Sequence, residues 1–221
     1  DDFKALKHQL RFLKGTVGYG IEFIWRAADP EPKDGPLDIK AYSDSSFADD
    51  IDTARTTLGT LIQINGATTS SSSKLSKRVD SCVNHSELHA FDAVVAGHGK
   101  EECGTDGSCE AFLKTTREVK WTRGVKAALE KRDVNAMPPS PVYVDNAGVL
   151  SVINDTTMKH ANKHIYRTVA ETREHVYLDG IVKPVKIDTK ANLANALTKQ
   201  EPGLRESAAQ LRLIAGPREE V

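Results

Sequence analysis

Phe3, Leu6, Leu10 and Leu13 recur at helical spacing, with Lys and Arg filling the other face. Residues 3–14 therefore read as a short amphipathic helix, with Gly15 suited to its C-terminal end. Thr16 to Trp25 alternates in part and reads as an extended arm. Three prolines and three acids between Ala27 and Pro36 mark a linker. From Leu37 the apolar period shortens to two. Leu37, Ile39, Ala41 and Ser43 share one face of a strand running to Asp44. Asp49 to Arg55 is a polar turn, and Leu58 to Ile64 a second strand. Asn65-Gly66 is a hairpin signal, followed by a Ser/Thr-rich third strand, Ala67 to Lys74. Together they predict an antiparallel meander.

Helical spacing returns at Leu88, Phe91, Val94 and Val95, with Ser86 placed to cap that helix. Gly97 to Ser108 holds four glycines and reads as an exposed inserted loop. Glu118 to Lys131 is again helical, with Trp121, Val125 and Leu129 on one side and Trp121 expected in the core. After a Pro-rich connection, Met137 to Pro141, come a short buried strand (Pro141 to Asp145) and a short helix (Ala147 to Ile153). Lys163 to Leu178 is a mostly polar helix ended by Gly180. Ile181 to Ile187 is a last strand, and Asn192 to Lys199 a closing helix. This order predicts an α/β fold, a mixed sheet covered by helices.

Composition narrows the class. With 221 residues, 39% hydrophobic and 28% charged, the chain can bury a core without disulfide staples. A disordered or collagen-like chain is excluded. No apolar run approaches the length of a membrane span, so no membrane partner is expected. The three cysteines, Cys82, Cys103 and Cys109, with no visible signal peptide, lead us to expect a reducing compartment and no secretion. His98, Cys103 and Cys109 cluster in the Gly-rich stretch, but their number and spacing are poor for zinc. Net charge is −1, unlike a stand-alone nucleic-acid binder. It is uneven, however: ten acids face six bases from Leu37 to Glu102, and fifteen bases face ten acids from Glu110 to Lys199. Such a split suits a metal site beside a phosphate-binding face, or simple scatter.

Three carboxylates stand at informative places. Asp44 lies near the end of the first strand, Glu87 near the start of the first long helix, and Asp145 at the end of the fourth strand. If those strands are parallel neighbours, the three groups converge. They repel one another unless a cation neutralises them. Hard oxygen ligands suit Mg2+. Two such ions about 4 Å apart clamp the attacking and leaving oxygens of a phosphodiester. Taken singly, Asp44 also suits a turn, Glu87 a helix-dipole partner, and Asp145 a cap for the helix at Ala147.

The ordered motifs resemble a known family. Tyr42-Ser43-Asp44-Ser45-Ser46-Phe47-Ala48 is similar to Y-S-D-A-D-W-A, and Asp49 to Leu58 to D-x-x-x-R-R/K-S-T-S. Ser72-Ser73-Lys74 matches S-S-K. His85-Ser86-Glu87-Leu88-His89-Ala90 resembles S-T-E-A-E-Y, and Val144-Asp145-Asn146-Ala147 resembles C-D-N-Q/A. Lys163-His164-Ile165 matches K-H-I, and Leu193 to Lys199 resembles L-A-D-x-L-T-K. Arg117 to Arg123 is similar to K-E-A-x-W-L-R. Lys4 to Thr16 resembles the W-K-A-x-K-R-x-L-R-Y-L-K-G-T stretch that closes a reverse transcriptase. The set resembles the RNase H domain of copia-type (Pseudoviridae) LTR-retrotransposon Pol polyproteins.

The resemblance implies an RNase H-like fold: a five-stranded mixed sheet, three antiparallel strands then two parallel, with helices on both faces. It implies a reverse-transcriptase tail and linker over 1–36, the RNase H-like domain over 37–200 with an insertion at 97–114, and a C-terminal tail over 201–221. The implied activity is endonucleolytic hydrolysis of the RNA strand of RNA–DNA hybrids. Two Mg2+ or Mn2+ ions are implied at Asp44, Glu87, Asp145 and Asn195, with no small-molecule cofactor. Asn195 stands where the family has an acid, so summed ligand charge falls and the second ion should bind more weakly. Reduced activity is expected; the alternative is a catalytically inactive or domesticated nucleic-acid-binding module. His89 stands where the family has a second acid. Ser45, Ser46 and Asn146 are candidates for reading the hybrid by shape and 2′-hydroxyls. Lys163 and Arg167 are candidates for holding phosphates, and His164 for moving a proton or aiding product release. The expected partners are the hybrid and the reverse-transcriptase portion of the same polyprotein, in cytoplasmic virus-like particles or the nucleus.

Overall fold

Helix α1 (Asp2–Gly15) forms as its apolar spacing predicts, and β1 (Tyr19–Gly20) follows it. The structure is a computed structural model and describes residues 2–21, 38–77, 79–96, 118–155, 157, 165–198 and 216–217. Phe3, Leu6, Leu10 and Leu13 of α1 all remain exposed. Of the arm expected over Thr16 to Trp25, residues 16–21 are described, and among them β1 is extended; it pairs antiparallel with β7 (Gly216–Pro217). The expected 27–36 linker, the 97–114 insertion, the His98/Cys103/Cys109 cluster, and Lys163 and His164 lie outside the described residues. Only Gly216 and Pro217 of the 201–221 tail are described.

The meander forms where the period-two pattern places it: β2 (Ile39–Ser46), β3 (Thr57–Ile64) and β4 (Ala67–Leu75). Asn65 and Gly66 both take positive φ, 50° and 83°, the turn that matches the twist of a two-residue hairpin. Helix α2 (Val83–Ala96) follows, then α3 (Glu118–Glu130), β5 (Ser140–Val144) and α4 (Ala147–Asn154). Next come α5 (Tyr166–Arg173), a π-helical turn (Glu174–Leu178) and β6 (Val182–Lys186). The sheet order is β4-β3-β2-β5-β6. β2–β3 and β3–β4 are antiparallel, while β2–β5 and β5–β6 are parallel. This is the mixed five-stranded topology expected of the RNase H-like fold.

One face of the sheet carries the main core. Leu88, Phe91 and Val94 of α2 bury against Ile39, Ala41, Ile62, Val142 and Val144, with Val149 and Ile153 of α4 and Val169 of α5 closing it. The other face is smaller: Tyr42 and Leu61 pack with Leu193 and Ala194. There the expected closing helix is a short 3-10 segment (Leu193–Leu197). Buried on both sides, β2 hides Tyr42 and Asp44 as well as Ile39, Ala41 and Ser43.

Two sequence readings are corrected. Ser86 does not cap α2, which already begins at Val83; its hydroxyl donates to the Val83 carbonyl at 2.8 Å. Trp121 is not in the core, being 60% exposed, and Leu129 is exposed too. The buried stripe of α3 is Val119, Thr122, Arg123, Lys126 and Ala127, a regular i, i+3, i+4 face whose members are partly polar. Arg123 belongs there because its guanidinium donates to the carbonyls of Val134, Met137 and Pro138 and to the Ser140 hydroxyl. Its long stem packs while its head satisfies the connection to β5.

Candidate active site

Parallel pairing of β2 with β5 aligns Ala41 with Val142 and Tyr42 with Tyr143. The same offset carries Asp44 opposite Asp145, at the carboxyl end of the parallel pair. Helix α2 crosses β2 and β3 with Leu88 and Phe91 pointing into the core, which brings Glu87 to the same point. One carboxylate oxygen from each of Asp44, Glu87 and Asp145 lies within 4.8 Å of the others. Asp44 and Glu87 are buried and Asp145 is half-buried, so the cluster opens on the Asp145 side.

The electrostatics follow from this crowding. Burial, then the neighbouring Asp44 and Asp145 charges, push the Glu87 carboxyl up to about 8. Hydrogen bonds from the Ser45 side chain and backbone oppose the shift. Oε2 of Glu87 is buried and accepts no hydrogen bond. Once ionised, the three carboxylates only accept, and with an orphaned buried oxygen they have the donor chemistry that a hard divalent cation satisfies.

Around the carboxylates the chain is well braced. The Ser45 hydroxyl lies 2.9 Å from that of Ser86. Thr198 donates its hydroxyl to Oδ2 of Asp44. Buried Asn192 donates to the Ser43 carbonyl at 2.9 Å and accepts from the Ala194 amide at 3.2 Å, starting the 3-10 segment. That segment sits on Gly59, the β3 residue paired with Asp44. A Cβ on Gly59 would stand 2.7 Å from Thr198 Cγ2 and 2.8 Å from the Ala194 carbonyl, so only glycine permits the approach.

The structure thus brings Asp44, Glu87 and Asp145 together and seats Ser45 among them. Asn195 is half-buried on the 3-10 segment, and its carbonyl lies 3.2 Å from the Thr198 hydroxyl that holds Asp44. Ser46 ends β2, half-buried. Asn146 caps α4, its Oδ1 accepting from Gly148 and Val149 amides, the part the sequence alternatives gave to Asp145. Arg167 lies on α5; its side chain is outside the description. Thr198 and Asn192 were missed as positioning groups; the signal was their place within and just before the L-A-N-A-L-T-K motif. Missed as well was a second group, Asp80, His85 and His89.

Fold and cluster define a class: an α/β domain with three carboxylates at the end of its central parallel strands. Comparison with known proteins narrows it. The chain is 26% identical over 199 residues, 90% of its length, to the retrovirus-related Pol polyprotein from transposon RE2 of Arabidopsis thaliana. It is 28% identical over 202 residues to the Pol polyprotein from transposon TNT 1-94 of Nicotiana tabacum, covering 91% of this chain. These matches take up 11% and 13% of the relatives, so the chain spans about a tenth of their length. Among solved structures, LC11-RNase H1 in complex with an RNA/DNA hybrid is similar, with a TM-score of 0.42 and 15% identity, over 72% of this chain and 93% of that one. No family model matches the chain. The resemblance to copia-type retrotransposon Pol polyproteins read from the motifs holds over nine-tenths of the sequence.

Proposed function

We propose that this chain is the ribonuclease H domain of a retrotransposon Pol polyprotein. It hydrolyses, endonucleolytically, the RNA strand of RNA–DNA hybrids during reverse transcription. The convergence of Asp44, Glu87 and Asp145 within 4.8 Å, with Glu87 raised to about 8, carries this reading. Asp44, Glu87 and Asp145, with Asn195 at the fourth position, would hold two Mg2+ or Mn2+ ions. Bound there, the ions supply Lewis acidity at the scissile phosphate. The rest is the chain's own work. Ser45 orients Glu87, and Thr198 fixes the rotamer of Asp44. Burial and its like-charged neighbours favour a proton on Glu87 near neutral pH, and a cation held there would favour its loss. Half-buried Asp145 leaves the side through which a phosphodiester enters.

Recognition rests on shape: Ser45, Ser46 and Asn146 suit 2′-hydroxyl contacts, Lys163 and Arg167 suit the phosphates, and His164 suits proton movement or product release. The reverse-transcriptase portion of the same polyprotein is the partner, within cytoplasmic virus-like particles or the nucleus. Cleavage of a labelled hybrid with Mg2+ or Mn2+ tests the reading. Asp145→Asn should cut at least about a hundredfold more slowly, the loss typical when one electrostatic group is removed; unchanged cutting would refute the site. Asn195 in place of an acid favours one second reading, a silent module that binds hybrids without cutting them.

A further inference from the structure

The face of α2 opposite Glu87 carries a cluster that the nuclease chemistry does not use. His85 and His89 are one helical turn apart, each two residues from Glu87 and hence on the other side of the helix. Their rings lie 4.2 Å apart, centroid to centroid. Both Nδ1 atoms face Asp80, on the connection between β4 and α2: His89 at 2.6 Å and His85 at 3.6 Å from Oδ1. The Asp80 side chain is fully buried, and those of His85 and His89 are largely so. One ligand atom from each of the three lies within 4.8 Å of the others.

Burial and donor type point to an ion. Neither buried Asp80 oxygen accepts a hydrogen bond of regular geometry, and both imidazoles crowd onto one of them, Oδ1, at 2.6 and 3.6 Å. The amide and hydroxyl of Ser81 lie 3.3 and 3.1 Å from His85 Nδ1 and hold that ring at the cluster. Two imidazole nitrogens and one carboxylate oxygen form a borderline donor set, which suits zinc and its neighbours over Mg2+.

We propose that Asp80, His85 and His89 bind one divalent transition-metal ion of the zinc class, separate from the carboxylate cluster. The site staples the β4–α2 connection to the outer face of α2 and so fixes the rotation at which α2 presents Glu87.

The test uses the full chain, stripped with a chelator and titrated with Co2+ and then Zn2+. One equivalent of Co2+ should give visible d–d absorption of low-coordinate cobalt, which Zn2+ displaces, and Zn2+ should raise the Tm. His89→Gln should weaken binding by at least about tenfold; His89→Cys should keep the ion and add a sulfur-to-cobalt charge-transfer band. Asp145→Asn should leave the cobalt spectrum unchanged. Circular dichroism confirms that each variant is folded, with His85→Gln in reserve. Absence of a cobalt spectrum in the wild-type chain overturns the proposal. So does a spectrum indifferent to His89→Gln but lost in Asp145→Asn, which assigns the ion to the carboxylates. Neither result depends on hybrid cleavage, so this proposal and the nuclease reading fail separately.

Discussion

Glu87 concentrates the physics of the site in one carboxyl. Its value in the folded, ion-free chain is about 8 against an ordinary 4.5, because burial and two like charges disfavour ionisation. The native state therefore holds this proton more tightly than the unfolded chain. The stability it contributes is complete below about pH 4.5 and is lost as pH rises through about 8. In EDTA, urea midpoints should fall between pH 5 and pH 8, by on the order of 4 kcal/mol in unfolding free energy. Glu87→Gln should flatten that dependence and exceed the wild type in stability at pH 8; a slope unchanged by the substitution would place its cause elsewhere. Mg2+ should restore wild-type stability at pH 8 and do little for Glu87→Gln. Asp44, Glu87 and Asp145 were legible in the sequence because each sits at the end of a strand or near the start of a helix. Thr198 and Asn192 were not, since their contacts to β2 span 154 and 149 residues and exist only once the chain has folded.

At the scale of elements, strands were easier to read than helix faces. The meander was plain because period-two alternation and an Asn-Gly turn agree with one another. Helix α3 misled because its outward side carries the conspicuous apolar residues, Trp121 and Leu129, while Arg123 and Lys126 are buried. Nothing local in a sequence marks an arginine whose partners are carbonyls more than ten residues away. Thermal or urea unfolding should therefore show Trp121→Ala within about 0.5 kcal/mol of wild type. Arg123→Ala, which strands three carbonyls and a hydroxyl, should cost roughly 2–4 kcal/mol. The reverse ranking would reinstate Trp121 in the core. The closing segment was read as a helix but is a 3-10 turn, pinned to β3 through Gly59. Gly59→Ala should destabilise by about 1–3 kcal/mol, as overpacking does. It should also weaken Mg2+ binding, because Thr198 must retreat from Asp44; calorimetric titration of Mg2+ checks the second effect, and unaltered affinity would uncouple the turn from the site.

For the whole molecule, the change of apolar period at Leu37 announced where the sheet begins. No α1 side chain among the described ones belongs to either buried core. A chain of residues 37–200 should accordingly unfold as one cooperative unit, with Tm within about 3 °C of the full chain in calorimetry. A larger drop would make the flanks part of the domain. No described helix is long and apolar enough to cross a membrane. Charge asymmetry also belongs to this scale: the acidic half supplies Asp44 and Glu87 to the carboxylate cluster, and the basic half supplies Asp145. The central claim is that this cluster is a working hydrolytic site held below full strength by Asn195. Cleavage of a labelled RNA–DNA hybrid by wild type, Asp145→Asn and Asn195→Asp, in Mg2+ and then Mn2+, tests it most directly. The expected result is slow cutting by wild type, at least about a hundredfold slower cutting by Asp145→Asn, and faster cutting by Asn195→Asp. Hybrid binding without cutting by either wild type or Asn195→Asp would contradict it and leave a binding module.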